Sequence, residues 1–152
     1  MSTERVIVQR SVVDEFRHIF SRVTNMMFNP VQTLVSEAAA NKNRKLVADA
    51  VSKGATTSSS LQSLYSAASM PTTIVDGVTR EMDLYRVESF GPTTSILVVE
   101  NDEEAVTVAN DSEFGLSSAI FTGNFLRGLK LAKRLEAGFV LFLFFHSKLV
   151  LY

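Results

Sequence analysis

The sequence predicts an α/β fold in which parallel strands alternate with helices. Three observations support this class: a β-branched apolar run behind a Gly-Pro breaker, a helical pattern directly after it, and a second strand and helix followed by a third apolar run. The expected elements are a strand at Ser95–Val99, a helix from Asp102 to about Asn110, a strand at Ser117–Phe121, a helix at Phe125–Ala137 and an apolar run from Phe139. This order and spacing join parallel strands by right-handed crossovers.

Acidic, polar and glycine residues mark the boundaries of these elements. Asp102–Glu104 is expected to supply the N-cap and the negative charge of the first helical turn, ahead of an apolar stripe that begins at Ala105. Thr122–Asn124 is expected to turn the chain into the second helix, and Gly138 is expected to cap that helix at its C-terminus.

The first part of the chain predicts another strand and two long helices. Arg5–Gln9 is the expected strand, and Ser11 with Asp14 predicts a capping box for the helix that follows. A second helix is expected from about Leu34 to Lys53, with Gly54 as its stop. The residues expected on the buried faces are Val12, Val13, Phe16, Ile19, Phe20 and Val23 in the first helix, and Leu34, Ala38, Leu46, Val47, Ala50 and Val51 in the second.

The middle of the chain carries weaker signals. Ala55–Ser69 is rich in serine and threonine and has no periodicity, which predicts a loop. Pro71–Val78 predicts a short strand with a turn at Asp76-Gly77, and Glu81–Arg86 predicts a short helical turn.

Composition excludes several classes of function. A chain of 152 residues with 46% hydrophobic residues and a net charge of −1 predicts one ordinary globular domain, with no electrostatic basis for binding nucleic acid or an anionic membrane. The sequence has no cysteine, so a disulfide or a cysteine metal site is excluded, and only His18 and His146 offer imidazole ligands. No metal site is predicted. His18 is expected to be a partly exposed helical residue without a catalytic role, and the cations within Asn41–Lys45 are expected to be solvated.

No membrane segment or secretion signal is expected either. The first ten residues alternate charged and apolar side chains, so a signal peptide is not predicted and the cytoplasm is the expected compartment. The apolar run Phe139–Phe145 is shorter than the roughly 18 residues that cross a bilayer, and it predicts a buried strand with an unusual extension.

The stretch Glu88–Pro92, ESFGP, resembles the Glu-x-Phe-Gly-Pro motif of the NAD(P)-dependent aldehyde dehydrogenases. Further segments agree: Asn110–Phe121 resembles the family's Asn-x-x-x-aromatic-Gly-Leu segment, Glu136–Val140 resembles the opening of its next core strand, and Ser2–Gln9 resembles the strand that directly follows its catalytic cysteine. The resemblance covers about Met1–Val140 and is weak between Ala55 and Met70. It implies a partial catalytic domain at residues 1–140 and an atypical apolar tail at residues 141–152.

The resemblance also implies a site. In this family the motif glutamate hydrogen-bonds the hydroxyls of the nicotinamide ribose and the phenylalanine packs beside the nicotinamide ring, which assigns these roles to Glu88 and Phe90. The implied cofactor is NAD or NADP, and the implied substrate is a small-molecule aldehyde. The segments Met82–Arg86 and Thr93–Ser95 look most like the salicylaldehyde, benzaldehyde and vanillin dehydrogenase branch, which favours an aromatic aldehyde.

The same resemblance implies what the 152 residues do not supply. The family's nucleophile is a cysteine, and its Rossmann domain and general-base glutamate lie upstream of the segment that Met1 begins; no residue of this sequence is therefore assigned a catalytic role. Leu143 stands where the family has an asparagine, and the partner-binding segment expected after it is not recognisable, so the homo-oligomers of the family are not expected to form in the usual way. We expect a fragment of an aldehyde dehydrogenase that is inactive alone; the alternative is a non-catalytic binding or interaction protein that reuses the α/β scaffold.

Overall fold

The computed structural model describes residues 3–27, 31–59, 66–144 and 150–151. The elements, in chain order, are β1 (Arg5–Gln9), α1 (Val13–Met27), β2 (Val31–Thr33), α2 (Glu37–Ser52), β3 (Thr56–Ser59), β4 (Ser69–Pro71), β5 (Thr73–Asp76), α3 (Asp83–Arg86), β6 (Thr93–Val99), α4 (Asp102–Asn110), β7 (Ser118–Thr122), α5 (Phe125–Ala132), β8 (Val140–Phe144) and β9 (Val150–Leu151). A 3-10 turn at Arg10–Val12 precedes α1. The chain divides into two compact units, Met1–Arg5 with Arg17–Leu97 and Val6–Phe16 with Val98–Tyr152.

The first unit combines a three-stranded arrangement with helix α2. Strand β5 pairs with β6 in parallel and with β3 in antiparallel register, and β2 with β4 forms a separate antiparallel ribbon. Most apolar side chains on β5 and β6 are at most 7% exposed, which is typical of the inner strands of an α/β sheet; they are Ile74, Val75, Ile96, Leu97 and Val99. Helix α2 begins where the Ser36 hydroxyl accepts a hydrogen bond from the Ala39 N–H at 3.1 Å.

The second unit contains the predicted crossover, with β7 and β8 paired in parallel. Strand β9 pairs antiparallel with both β1 and β7, and the sequence did not predict it. Arg127 at the start of α5 donates hydrogen bonds to the Asp102 carboxylate from Nε, at 2.7 Å, and from Nη2. This contact fixes the first turn of α4 beside α5, and the Asp102 carboxylate raises the pKa of the Arg127 guanidinium.

The predicted α/β class is confirmed, because both parallel pairs, β5 with β6 and β7 with β8, are present. The predicted loop at Ala55–Ser69 is wrong at Thr56–Ser59, which form β3, and at Ser69, which begins β4; residues 60–65 lie outside the described residues. All four residues of β3 are exposed, so this strand has no apolar alternation that could have revealed it.

The C-terminal end of α5 was predicted five residues too late. The helix ends at Ala132, and Gly138 is not its cap, since its N–H donates instead to the Gly115 carbonyl at 2.8 Å. The side chain of Asn110 explains the early stop: its Nδ2 donates to the Arg134 carbonyl at 2.8 Å and its Oδ1 accepts from the Glu136 N–H at 3.0 Å. A side chain distant in sequence thus takes over the backbone groups that another helical turn would have used.

The predicted buried faces are partly wrong. In α1, Ile19 is 51% exposed and Val23 is 38% exposed, and in α2, Val51 is 47% exposed. The buried residues of α2 are Ala40, Asn43, Leu46 and Ala50, and the predicted core residue Ala38 is exposed. The predicted strand at Phe139–Phe145 is present as β8, Val140–Phe144, but its predicted burial is wrong, because Phe139 is 61% exposed and Leu141 is 43% exposed; residue 145 lies outside the described residues.

Smaller corrections concern helix starts. Ser11 lies inside the 3-10 turn and α1 begins at Val13, so the predicted capping box does not mark the helix start. The N-cap of α4 is Asn101, whose side chain accepts from the Glu104 N–H at 3.0 Å, and Asp102 is the first helical residue. The turns at Gly54 and Gly77 are confirmed, with φ of 102° and 77°. None of the helices in the described chain is long and apolar enough to cross a membrane.

Candidate functional site

The candidate site is the loop Glu88–Pro92 of the first unit, which connects α3 to β6. Its residues differ sharply in exposure. Ser89 is 2% exposed and Glu88 is half-buried, whereas the Phe90 side chain is 74% exposed. Phe90 has a φ of 51°, in the left-handed region, where a non-glycine residue costs about 1–2 kcal/mol. The surrounding structure must therefore hold this conformation in place.

A single carboxylate holds the outer side of the loop. Glu4, at the residue before β1, accepts a hydrogen bond from the Ser89 N–H on Oε2 and one from the Phe90 N–H on Oε1, each at 3.0 Å. The Glu4 main-chain carbonyl also accepts from the Ser95 N–H at 2.9 Å, which ties Glu4 to β6. Hydrogen bonds to an ionised acceptor are roughly twice as strong as neutral ones, so this paired contact is a firm anchor.

The side-chain amide of Asn43 holds the inner side. Asn43 is fully buried on α2; its Nδ2 donates to the Ser89 carbonyl at 2.7 Å and its Oδ1 accepts from the Thr93 hydroxyl at 3.1 Å. Gly91 packs against it so closely that a Cβ at Gly91 would lie 2.6 Å from both Nδ2 and Oδ1. The glycine of the motif is therefore required by this close approach.

Lys42 on α2 contacts the two residues that the sequence assigned to the cofactor. Its Nζ donates to the Glu88 carbonyl at 2.8 Å and lies 5.5 Å from the centroid of the Phe90 ring. The cluster Asn41–Lys45 was predicted to be solvated, and Lys42 is indeed exposed, but it is ordered by these contacts. Arg44 of the same cluster donates to the Ser69 carbonyl at 2.7 Å, so it has a structural partner.

Glu88 and Phe90 lie in the same loop and both contact Lys42, whereas the two histidines belong to other parts of the chain. His18 is exposed on α1, and His146 lies outside the described residues. Among the residues that the structure describes, no three His, Asp or Glu side chains are grouped so that they could hold a metal ion. Sequence reasoning missed Glu4, Asn43 and Lys42; only Asn43 left a signal, because it is a polar residue at helical spacing between the apolar residues Ala40 and Leu46.

The chemistry of this surface fits a nucleoside sugar with an aromatic base. In the described chain, no side chain pairs with the Glu88 carboxylate, so both oxygens can accept hydrogen bonds from two vicinal hydroxyls. The exposed Phe90 ring offers an apolar surface two residues further along the same loop, and the Lys42 Nζ, 5.5 Å from the ring centroid, supplies a nearby positive charge.

The model of the aldehyde dehydrogenase family matches residues 1–143, which include this loop. The chain belongs to the aldehyde dehydrogenase family. Vanillin dehydrogenase of Pseudomonas fluorescens is 39% identical over 146 residues, which cover 91% of this chain and 30% of that protein. The chain spans about 30% of the length of the curated relatives it matches.

Solved aldehyde dehydrogenases share the fold as well. A salicylaldehyde dehydrogenase from Pseudomonas putida G7, complexed with salicylaldehyde, gives a TM-score of 0.83 at 31% identity, over 91% of this chain and 30% of that one. An NADP-dependent glyceraldehyde-3-phosphate dehydrogenase from Bacillus halodurans C-125, complexed with NADP, gives 0.84 at 29% identity over the same shares. The predicted family and the predicted truncated α/β catalytic fold are thus confirmed, and relatives in this family bind NAD or NADP.

Proposed function

We propose that this chain supplies the nicotinamide-ribose wall of the cofactor pocket of an NAD(P)-dependent aldehyde dehydrogenase. Glu88 accepts hydrogen bonds from the ribose hydroxyls, and Phe90 covers one side of the nicotinamide ring. The observation that supports this most directly is the exposed Phe90 ring at a φ of 51°, two residues after Glu88, whose carboxylate no described side chain pairs with. The backbone strain and the exposed apolar surface at Phe90 both oppose folding, and the contact with Lys42 is at most a partial offset, so the arrangement suits a residue that binds a ligand.

The bound cofactor would accept the hydride of the aldehyde. The residues of this chain would contribute binding and orientation: a carboxylate that fixes the ribose, an aromatic face that excludes water beside the ring, and a lysine whose charge lies close to both. Lys42 is 2.8 Å from the Glu88 carbonyl and lies over the Phe90 ring, so it limits the positions that either residue can take.

The proposal assigns no catalytic residue to these 152 residues. They contain no cysteine, and the thiolate nucleophile of the family has no substitute here that combines a serine with a partner histidine and acid. We therefore propose that the chain alone does not oxidise aldehydes, and that residues 1–140 act as part of a catalytic domain with residues 141–152 as an atypical tail. The compartment we propose is the cytoplasm.

The proposed substrate of the complete protein is a small aromatic aldehyde. This choice rests on the similarity to a vanillin dehydrogenase and to a salicylaldehyde dehydrogenase. The rival, a non-catalytic binding protein, would use the same exposed surface for a different partner.

The test is a titration of the 152-residue chain with nicotinamide mononucleotide, NAD and NADP, followed by amide NMR. We expect shifts centred on Glu88, Phe90 and Lys42, with AMP as a control that lacks the nicotinamide ring. A response to AMP equal to that of the mononucleotide, or shifts located away from this loop, would contradict the proposal. A parallel assay with vanillin and NAD should give no NADH above the blank without protein.

A further inference from the structure

We infer that Glu4 is a positioning residue for the cofactor loop: its carboxylate holds Phe90 in the left-handed conformation and thereby sets where Glu88 and Phe90 face. The inference rests on the proposed function, because the orientation of Glu88 and Phe90 has a role only if the loop binds the cofactor. It concerns a residue outside the motif, 85 positions from Ser89 in sequence, to which nothing in the loop's own sequence points.

The geometry gives Glu4 a specific task. Two successive backbone N–H groups, those of Ser89 and Phe90, point at the two oxygens of one carboxylate, each at 3.0 Å. The direction of the Phe90 N–H fixes the plane of the peptide group between Ser89 and Phe90, and the φ of 51° at Phe90 is the rotation of the following backbone relative to that plane. If the carboxylate were removed, the two N–H groups would seek other acceptors and the strain at Phe90 would relax.

The other contacts of the loop cannot replace Glu4. Asn43 binds the Ser89 carbonyl and packs on Gly91, so it fixes the depth of the loop on α2. Lys42 binds the Glu88 carbonyl. The Ser89 hydroxyl accepts from the Gly91 N–H at 3.1 Å and so holds the backbone after Phe90, whereas the Glu4 carboxylate is the group that binds the Phe90 N–H within the described chain and so holds the peptide group before Phe90.

Glu4 is itself held in place. Its main-chain carbonyl accepts from the Ser95 N–H at 2.9 Å, and the preceding Thr3 carbonyl accepts from the Thr94 hydroxyl at 2.9 Å. The carboxylate therefore projects from backbone that is attached to β6, the strand that directly follows the loop. The Glu4 backbone and the loop that its carboxylate binds are thus both attached to β6, so the loop needs little rearrangement before a ligand binds.

The test compares Glu4→Gln and Glu4→Ala with the unaltered chain by NMR. A positive φ gives a strong Hα–HN cross-peak within Phe90, and amides bonded to a carboxylate exchange slowly with solvent. Glutamine keeps the size of the side chain and one acceptor oxygen, so we expect it to release one of the two amides, and alanine to release both. The strain at Phe90 is worth about a tenfold shift in conformer population, so the cross-peak should weaken clearly in Glu4→Gln and vanish in Glu4→Ala.

Two control variants separate positioning from charge and from stability. Glu113→Gln removes the charge of an exposed glutamate elsewhere in the chain, and Ile74→Val weakens the core of the same unit at a buried position on β5, outside the loop in sequence. Neither should change the Phe90 cross-peak. If Ile74→Val weakens it as much as Glu4→Gln does, the effect is one of stability and the inference is overturned, as it is if both Glu4 variants keep the cross-peak and the slow exchange.

Titration with nicotinamide mononucleotide links the conformation to binding. We expect the dissociation constant to rise about tenfold in Glu4→Gln, the effect of losing one charge-assisted bond, and to stay unchanged in Glu113→Gln. If the unaltered chain does not respond to the mononucleotide, the proposed function fails for this chain, whereas the inference about Glu4 is still decided by the Phe90 cross-peak. An affinity that is equal in Glu4→Gln and the unaltered chain would limit Glu4 to shaping the loop and overturn its role toward the ligand.

Discussion

Gly91→Ala is expected to destabilise the first unit through one identifiable contact, the side-chain amide of Asn43. The new Cβ would lie 2.6 Å from Nδ2 and Oδ1 of Asn43, whereas ordinary contacts begin at about 3.4 Å. Asn43 is fully buried and cannot withdraw without losing its bonds to the Ser89 carbonyl and the Thr93 hydroxyl. Overpacking costs about 1–3 kcal/mol and one lost hydrogen bond about 1 kcal/mol, so we expect the free energy of unfolding to fall by about 2–4 kcal/mol.

A double-mutant cycle in urea, followed by circular dichroism, identifies the cause. Asn43→Ala alone leaves the Ser89 carbonyl without this buried donor and should cost about 1–3 kcal/mol. In the double variant the new methyl group at position 91 meets no amide. The double variant should therefore lose less free energy of unfolding than the two single variants lose together, with a coupling of at least about 1 kcal/mol. Additive losses, or a neutral Gly91→Ala, would refute the reasoning.

Gly77→Ala is the matched control, because it adds the same methyl group but lowers stability through backbone strain and not through a clash. Gly77 has a φ of 77°, and a Cβ added there would meet no atom within 4 Å, so alanine costs backbone strain of about 1–2 kcal/mol and creates no clash. Asn43→Ala should not relieve that cost, and the two effects should add within about 0.5 kcal/mol.

The remaining predictions concern activity, self-association and stability in acid. A chimera that adds the family's upstream segment and replaces the tail after Val140 should regain activity. In that chimera Glu88→Gln should weaken cofactor affinity or hydride transfer by about 1.5–3 kcal/mol, while the melting temperature without cofactor hardly changes. An unaltered KM and turnover would contradict this expectation. The isolated chain should self-associate through the exposed Leu141 of β8 and the apolar residues that follow it in sequence. Leu141→Lys should increase the monomer fraction in light scattering, whereas a monodisperse unaltered chain with its tail protected from hydrogen exchange would count against the prediction. Hydrogen bonds from Lys53 and from the Asp83 N–H lower the pKa of Asp49 below 3.8. The stabilising effect of the Asp49 carboxylate is therefore present above pH 3.8 and lost as the pH falls through the lowered pKa. Asp49→Asn should lower the free energy of unfolding at neutral pH and leave it unchanged in strong acid, as urea titrations at both pH values would show.

The parts of the fold that the sequence predicted well are those decided by neighbouring residues. Strand β6, helix α4 and strand β7 follow from a β-branched run, an acidic first turn and a second apolar run, and each lies within about two residues of its predicted bounds. The end of α5 was missed because it depends on Asn110, 24 residues before the Arg134 carbonyl that it binds. Strand β3 was missed because its polar, exposed residues are identified as a strand only by pairing with β5.

The candidate site divides in the same way. Glu88 and Phe90 could be named from a local motif, whereas the groups that shape their loop, Glu4 and Asn43, come from 86 and 46 positions away and needed the fold to bring them together. Asn43 could have been suspected, since a polar residue on the buried side of a helix needs a partner. Nothing in the sequence around Glu4 distinguishes it from an exposed charge.

The distribution of burial within the loop bears on its purpose. Ser89 is the residue that the fold buries, and its carbonyl, N–H and hydroxyl are all hydrogen-bonded, the hydroxyl accepting from the Gly91 N–H at 3.1 Å. The hydrogen bonds of Ser89 and the close packing of Gly91 therefore stabilise the folded loop, and neither requires an aromatic side chain at position 90. Phe90 instead adds exposed apolar surface and backbone strain, both of which oppose stability. Phe90 is costly to the fold, lies two residues after a carboxylate that no described side chain pairs with, and has its N–H held by Glu4; the ligand that we propose accounts for this combination.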